Sequence, residues 1–213
     1  MATLQDVQDI ILAGKAKQTA GVVQEALDGG LNAMDILTTM IDAMGIVGER
    51  FSRNEIFVPE MLVTAKAMKK GVTVLKPHLA EGAAGAMGKM VIGTVAGDLH
   101  DIGKNLVAMM VESAGFEVID LGTDVPAEVF IETIRENPDT KLVGLSALLT
   151  TTMPAMAEIV EELNKQDFRP NIKIMVGGAP ITQEFADQIG ADCYTEDAAT
   201  AAVMAKQLVS MSV

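Results

Sequence analysis

From residue 89 onward, short apolar runs rich in β-branched residues alternate with segments of helical spacing, and no other feature of the chain limits the fold so tightly. The runs span 89–95, 116–121, 142–146, 172–176 and, briefly, 193–194. Between them Ile102, Leu106, Met109 and Met110 fall at helical spacing, Pro126 opens a helix over 127–135, and further helices are predicted near 154–163, 182–189 and 198–209. Strand, crossover helix and strand in succession force parallel pairing, with helices on both faces of the sheet. The predicted unit is a Rossmann- or flavodoxin-like, doubly wound sheet of five parallel strands.

The first eighty residues read differently, as helix after helix. Val7, Ile10 and Ile11 form one apolar stripe, and Val22, Val23, Ala26 and Leu27 form another that stops at Gly29-Gly30. A longer segment from Ala33 to about Phe51 turns Met34, Leu37, Ile41, Met44 and Val47 inward. After a turn at Ser52-Arg53-Asn54, a helix beginning near Pro59 turns Met61, Leu62, Ala65, Met68, Val72 and Leu75 inward. These make a small helical bundle, whose aliphatic and methionine surface suits packing on an irregular apolar object as well as on itself. Small residues over 80–88 break the pattern. The expected organisation is a helical cap domain over 1–80, a glycine-rich hinge over 81–88, and the sheet domain over 89–213.

Composition excludes several partners. A hydrophobic share of 49% against 21% charged residues is enough for a sizeable core and argues against disorder. The net charge of -13 repels a polyanion, so nucleic acid is not an expected partner. The lone cysteine, Cys193, has no partner for an internal disulfide and reads as a small buried apolar residue. No stretch is apolar for long enough to span a bilayer, and the start Met-Ala-Thr-Leu-Gln-Asp lacks the marks of a secretion signal. A cytoplasmic, membrane-free protein is expected.

Unusual residues gather in the loops that follow the strands. Asp98-Leu99-His100-Asp101-Ile102-Gly103 joins the first strand to its helix and contains one of only two histidines. Ser146 to Thr152 follows the third strand with four hydroxyls around two leucines, and Gly177-Gly178-Ala179-Pro180 follows the fourth. In an open α/β sheet these loops share the carboxyl edge, where such folds hold ligands. Each feature also has a plainer reading. His100 alone fits a histidine satisfied by Asp98 at a helix start, Asp101 a helix-start residue, and Thr150 to Thr152 a cap. Gly177-Gly178 is a common turn, most of the methionines are core filler, and His78 is a helix-end residue.

Together, Asp98-x-His100-x-x-Gly103, Ser146-x-Leu148 and Gly177-Gly178 resemble the cobalamin-binding module of methionine synthase and of the corrinoid proteins of microbial methyltransferase systems. The helical half, with Glu55-Ile-Phe57-Val-Pro59-Glu60 leading into a Met-rich helix, resembles the cap of those proteins, so the likeness covers essentially the whole chain. It implies a base-off cobalamin, cycling between methylcobalamin and cob(I)alamin, with His100 as the cobalt ligand. Asp98 is then the acceptor behind the imidazole. A relay serine of methionine synthase corresponds to Thr152, which keeps the hydroxyl and adds a methyl. The nucleotide tail is implied to run between Ser146, Leu148, Thr150 and the space left by Gly177 and Gly178, while Gly103 admits the first helix. Further contacts are implied at Gly97, Asp101, Ile102 and Leu106, at Met153, at Ala179, and at Tyr194 and Ala198; Phe57 is the expected lid of the ring.

The resemblance implies a methyl carrier, shuttling a methyl group on cobalt between a substrate:corrinoid methyltransferase and a corrinoid:acceptor methyltransferase that serves tetrahydrofolate or a thiol coenzyme. A reductive activator protein is a third expected partner. No complete turnover is expected from this polypeptide alone. Two other classes stay open at this point: a cobalamin-dependent sensor or regulator, and a flavodoxin-like interaction domain without cofactor.

Overall fold

The computed structural model describes residues 1–78 and 87–210. Most of the expected 81–88 hinge, together with 211–213, lies outside the described residues. Those described fall into two compact units, one built from helices and one around a sheet.

In the helical unit, α1 (Leu4–Leu12) starts from a capping box in which Thr3 and Asp6 satisfy each other's backbone donors. α2 (Ala16–Asp28) ends at Gly29 and is followed by the left-handed Gly30, as the paired glycines predict. Asn32 caps α3 (Ala33–Ser52) by accepting the Met34 N–H at 2.8 Å. The fourth helix, α4 (Val58–Leu75), begins one residue before the predicted Pro59. Helix α1 packs on α2 and α3, and α4 on α2 and α3.

The buried faces of α3 and α4 are rotated from the predicted stripes. In α3 the core residues are Ile36, Leu37, Met40, Ala43, Met44 and Val47, whereas Met34 is exposed and Ile41 only partly covered. In α4 they are Met61, Thr64, Ala65, Ala67, Met68, Gly71 and Leu75, and Leu62 is exposed. Close helix approach is the reason. A side chain on Gly71 would collide with Met40, so small residues occupy the contact face and push larger apolar ones to its flanks.

The sheet unit follows the predicted alternation. Its strands are β1 (Lys89–Thr94), β2 (Glu117–Asp120), β3 (Thr140–Ser146), β4 (Lys173–Gly177) and β5 (Cys193–Tyr194), all parallel in the order β2-β1-β3-β4-β5. The helices are α5 (Ile102–Ser113), α6 (Ala127–Glu136), α7 (Met153–Asn164), α8 (Gln183–Ile189) and α9 (Ala198–Ser210). Val91, Val143, Leu145, Ile174 and Val176 form one core with Phe130 and Ile134 of α6 and Met156, Ile159 and Leu163 of α7. The alternate residues Met90, Ile92, Leu142 and Met175 are buried too, which is why these strands read as unbroken apolar runs. Among the described residues no helix is long and apolar enough to cross a membrane.

Candidate cofactor site

Sheet register places the site. Thr94, Ser146 and Gly177, the last residues of three adjacent strands, are direct partners, so the loops after β1, β3 and β4 leave the carboxyl edge at one level. In this strand order β1 and β3 flank the switch point, where the connections diverge and open α/β sheets hold ligands.

Asp98 is the centre of the arrangement and is fully buried. Its Oδ1 accepts the His100 ring Nδ1–H at 2.7 Å and the His100 backbone N–H at 3.1 Å. Its Oδ2 accepts the Leu148 N–H at 2.7 Å, the Leu149 N–H at 3.3 Å and the Thr152 hydroxyl at 2.8 Å. Burial by itself raises the carboxyl's pKa, but the bonds from Leu148, His100 and Thr152 outweigh it and hold Asp98 well below the usual carboxylate range. The group is therefore an anion and can only accept. That assigns the ring: Nδ1 donates to the carboxylate, and Nε2 is the nitrogen not engaged by Asp98.

The His100 side chain is 51% exposed although its partner carboxylate is sealed, so the ring reaches outward from a rigid base. Its carbonyl accepts the Thr94 hydroxyl at 2.8 Å, which pins the far end of the loop to β1. Leu99 and Ile102 beside it, and Leu148 and Leu149 on the β3 loop, are exposed apolar side chains. At Gly103 no described atom outside its own stretch of helix lies within 4 Å of where a Cβ would stand, so this glycine borders open space. An outward imidazole with apolar side chains on its two loops suits a flat, largely apolar ring carrying a metal. Among the described residues no group of three or more His, Cys, Asp and Glu side chains gathers to hold an ion, and a ring that brings metal ligands of its own would need only His100 from the protein.

Thr152 is buried, and its single hydroxyl proton lies between Asp98 Oδ2 and the Leu149 carbonyl, 2.9 Å away. The capping alternative for the threonines is not what forms: Thr150–Thr152 is a 3-10 turn, and α7 begins without a side-chain cap. The methyl that distinguishes Thr152 from serine points to the bare face of Gly97, which turns the chain at φ 81°.

Backbone closely approaches both paired glycines after β4. A Cβ on Gly178 would strike the Ala147 carbonyl oxygen, and one on Gly177 would lie 3.1 Å from the Thr195 carbonyl. The missing side chain of Gly178 lets the β3 and β4 loops close on each other, with the Ala147 N–H donating to Gly177 O at 3.2 Å, while that of Gly177 admits the chain after β5. The space is filled by protein backbone.

The remaining predicted residues are spread along the same edge. Asp101 precedes α5, where its carbonyl and carboxylate both accept from Asn105. Leu106 is half-buried on α5, Ser146 ends β3, and Met153 starts α7. Ala179 is exposed after β4, Tyr194 ends β5, and Ala198 is the buried first residue of α9. Cys193 is buried as predicted; burial, then the charge of Asp192, pushes its thiol pKa up. Phe57 belongs to the helical unit, where it is exposed ahead of α4 and donates its N–H to Glu60 Oε2.

Two features were not legible in the sequence. Lys104, on the first turn of α5, is buried and binds both oxygens of Asp120 at 2.6 and 2.5 Å and Asn105 Oδ1 at 2.7 Å. Asp124, in the loop after β2, accepts the Gly97 N–H at 2.7 Å. Both depend on β2 lying beside β1, a pairing that local patterns do not announce.

A family model described as a B12 binding domain matches residues 88–205, and a second with the same description matches residues 3–76. Over 210 residues the chain is 45% identical to the dimethylamine corrinoid protein of Methanosarcina barkeri, with 97% of each covered. Among solved structures it is similar to a cobalamin-binding protein from Desulfitobacterium hafniense DCB-2, at TM-score 0.81 and 30% identity over 97% of this chain and 98% of that one. It is also similar to a chain of the methanol:cobalamin methyltransferase complex of Methanosarcina barkeri, at TM-score 0.80 and 29% identity over 96% of this chain and 78% of that one. With both halves matched and a buried aspartate presenting an outward imidazole at the sheet edge, the chain belongs to the B12-binding family of corrinoid proteins.

Proposed function

We propose that this chain is a corrinoid methyl carrier, the cofactor subunit that receives a methyl group from a substrate-specific methyltransferase and delivers it to a corrinoid:acceptor methyltransferase. A reductive activator completes the set of partners. His100 carries the reading: its Nδ1–H is committed to an ionised Asp98, so Nε2 is the ring nitrogen that would ligate cobalt. When bound, the corrin cobalt supplies the methyl-transfer chemistry that no side chain of the protein can.

The protein's own part is to hold and aim the ligand. The Asp98 carboxylate 2.7 Å from Nδ1 orients the His100 ring. Thr152 keeps the carboxylate aimed by holding its other oxygen. The nucleotide tail would run along the carboxyl ends of β3, β4 and β5, where Ser146, Leu148, Thr150 and Tyr194 stand.

A relative at 45% identity is named for dimethylamine, so methylamines are the donor class to test first. The experiment mixes the cobalamin-loaded, reduced protein with a methyltransferase and dimethylamine, and follows the absorbance of reduced cobalt. It is expected to decay with dimethylamine, and His100→Ala to slow the complete cycle. A protein that keeps its red cofactor yet accepts no methyl group from any methyltransferase would point to a regulatory module.

A further inference from the structure

Asp124 is one of two described residues other than glycine with a left-handed backbone, at φ 57°. That region is disfavoured for any residue with a Cβ and is tolerated best by Asn and Asp. The turn has a visible use. It lets one residue grip the histidine loop twice: Asp124 Oδ1 accepts the Gly97 N–H at 2.7 Å, and the Asp124 N–H donates to the Asp98 carbonyl at 3.0 Å.

These bonds complete the backbone of the aspartate that holds His100. The Asp98 N–H donates to Val95 O at 3.1 Å, its carbonyl takes Asp124, and the preceding Gly97 N–H takes the Asp124 carboxylate. Around this grip the β2 loop is sewn to the end of β1. The Thr94 N–H donates to Gly122 O and the Val125 N–H to Thr94 O, each at 3.0 Å, and Val95 and Val125 form a parallel bridge. The loop's other anchors are the Asp98 carboxylate itself and the Thr94 hydroxyl on the His100 carbonyl.

Resting on the reading of His100 as the lower ligand, we propose that Asp124 is a positioning residue for it: its carboxylate on the Gly97 amide fixes the Asp98 backbone, and so where the imidazole is presented to cobalt. A single axial imidazole must compete with solvent and with the cofactor's own base. Freedom in the loop therefore shows as lost ligation. Asp124 touches neither the ring nor the metal in this scheme.

The test compares Asp124→Gly, which keeps the left-handed backbone and the N–H but loses the acceptor, with Asp124→Asn, which keeps a neutral acceptor on a tolerated backbone. In the cobalamin-loaded protein prepared with nitrogen-15 histidine and reduced to cobalt(II), the part of the axial nitrogen splitting that carries the label, read by electron paramagnetic resonance, gives the ratio of histidine-ligated cobalt to the rest. That ratio is expected to fall about tenfold in Asp124→Gly and about threefold in Asp124→Asn, because a charged acceptor is roughly twice as strong as a neutral one. In the cofactor-free protein the Gly97 amide proton is expected to move upfield in the same order.

If Asp124→Gly does not fold, the threefold loss in Asp124→Asn decides alone. Wild-type ligation in both variants, despite a shifted Gly97 amide, would overturn the proposal and leave His100 as ligand. His100→Ala, measured alongside, separates the two ideas. If the wild-type splitting carries no histidine label, or a labelled splitting persists in His100→Ala, the ligand assignment itself is wrong and the role of Asp124 falls with it.

Discussion

A carboxylate buried without solvent is costly unless donors meet both oxygens, and Asp98 satisfies that condition with two backbone amides, a hydroxyl, a ring N–H and the amide of His100. Because its folded pKa is lowered, Asp98 contributes stability above the ordinary aspartate value of about 3.9, and this is lost as pH falls below it. Asp98→Asn puts an amide N–H among donors and is expected to cost about 2 kcal/mol at neutral pH. The variant has no such carboxyl to protonate, so the gap from wild type should narrow between about pH 4 and pH 2. Denaturant titrations across that range check it; a constant gap would mean that Asp98 is not ionised in the fold. The aspartate and the histidine two residues on were readable as a pair from their place in the sequence. The Leu148, Leu149 and Thr152 donors lie about fifty residues away, and their meeting with Asp98 follows from strand pairing. The close approach of the Ala147 carbonyl to Gly178 follows from the same pairing, and nothing local announces it.

At the scale of elements, the Lys104–Asp120 pair fastens the first turn of α5 to the end of β2, directly behind the histidine loop. The two partners are unequal. The Lys104 side chain is 1% exposed and that of Asp120 39%, so removing the acid strands a buried ammonium while removing the base leaves a carboxylate that water can reach. Asp120→Ala is expected to cost about 3 to 5 kcal/mol, and Lys104→Met, which keeps the apolar stem, about 1 to 2. Equal losses by chemical denaturation would contradict this asymmetry. Strand and helix order was legible because parallel strands buried on both faces are unbroken apolar runs, and their ends fell close to the predicted ones. The inward faces of α3 and α4 were less so. Apolar count favours Met34 and Leu62, whereas close packing selects Ala43, Ala67 and Gly71, whose small size carries little hydrophobic signal.

For the whole molecule, both compact units are matched separately by B12-binding models, so the helical unit is as much part of the family as the sheet that holds His100. The acidic surface, with a net charge of -13, favours partners with basic docking faces and weakens such encounters as salt rises. The proposed carrier role depends on the imidazole of His100 being the protein's donor to cobalt, with the cofactor's own base displaced. The direct measurement is electron paramagnetic resonance of the cobalt(II) protein prepared with histidine carrying nitrogen-15 and cobalamin of natural isotope content. The axial nitrogen splitting is predicted to change its pattern with the label, and any splitting left in His100→Ala to be indifferent to it. A wild-type splitting indifferent to the labelled histidine, which would place the benzimidazole still on the metal, contradicts the prediction.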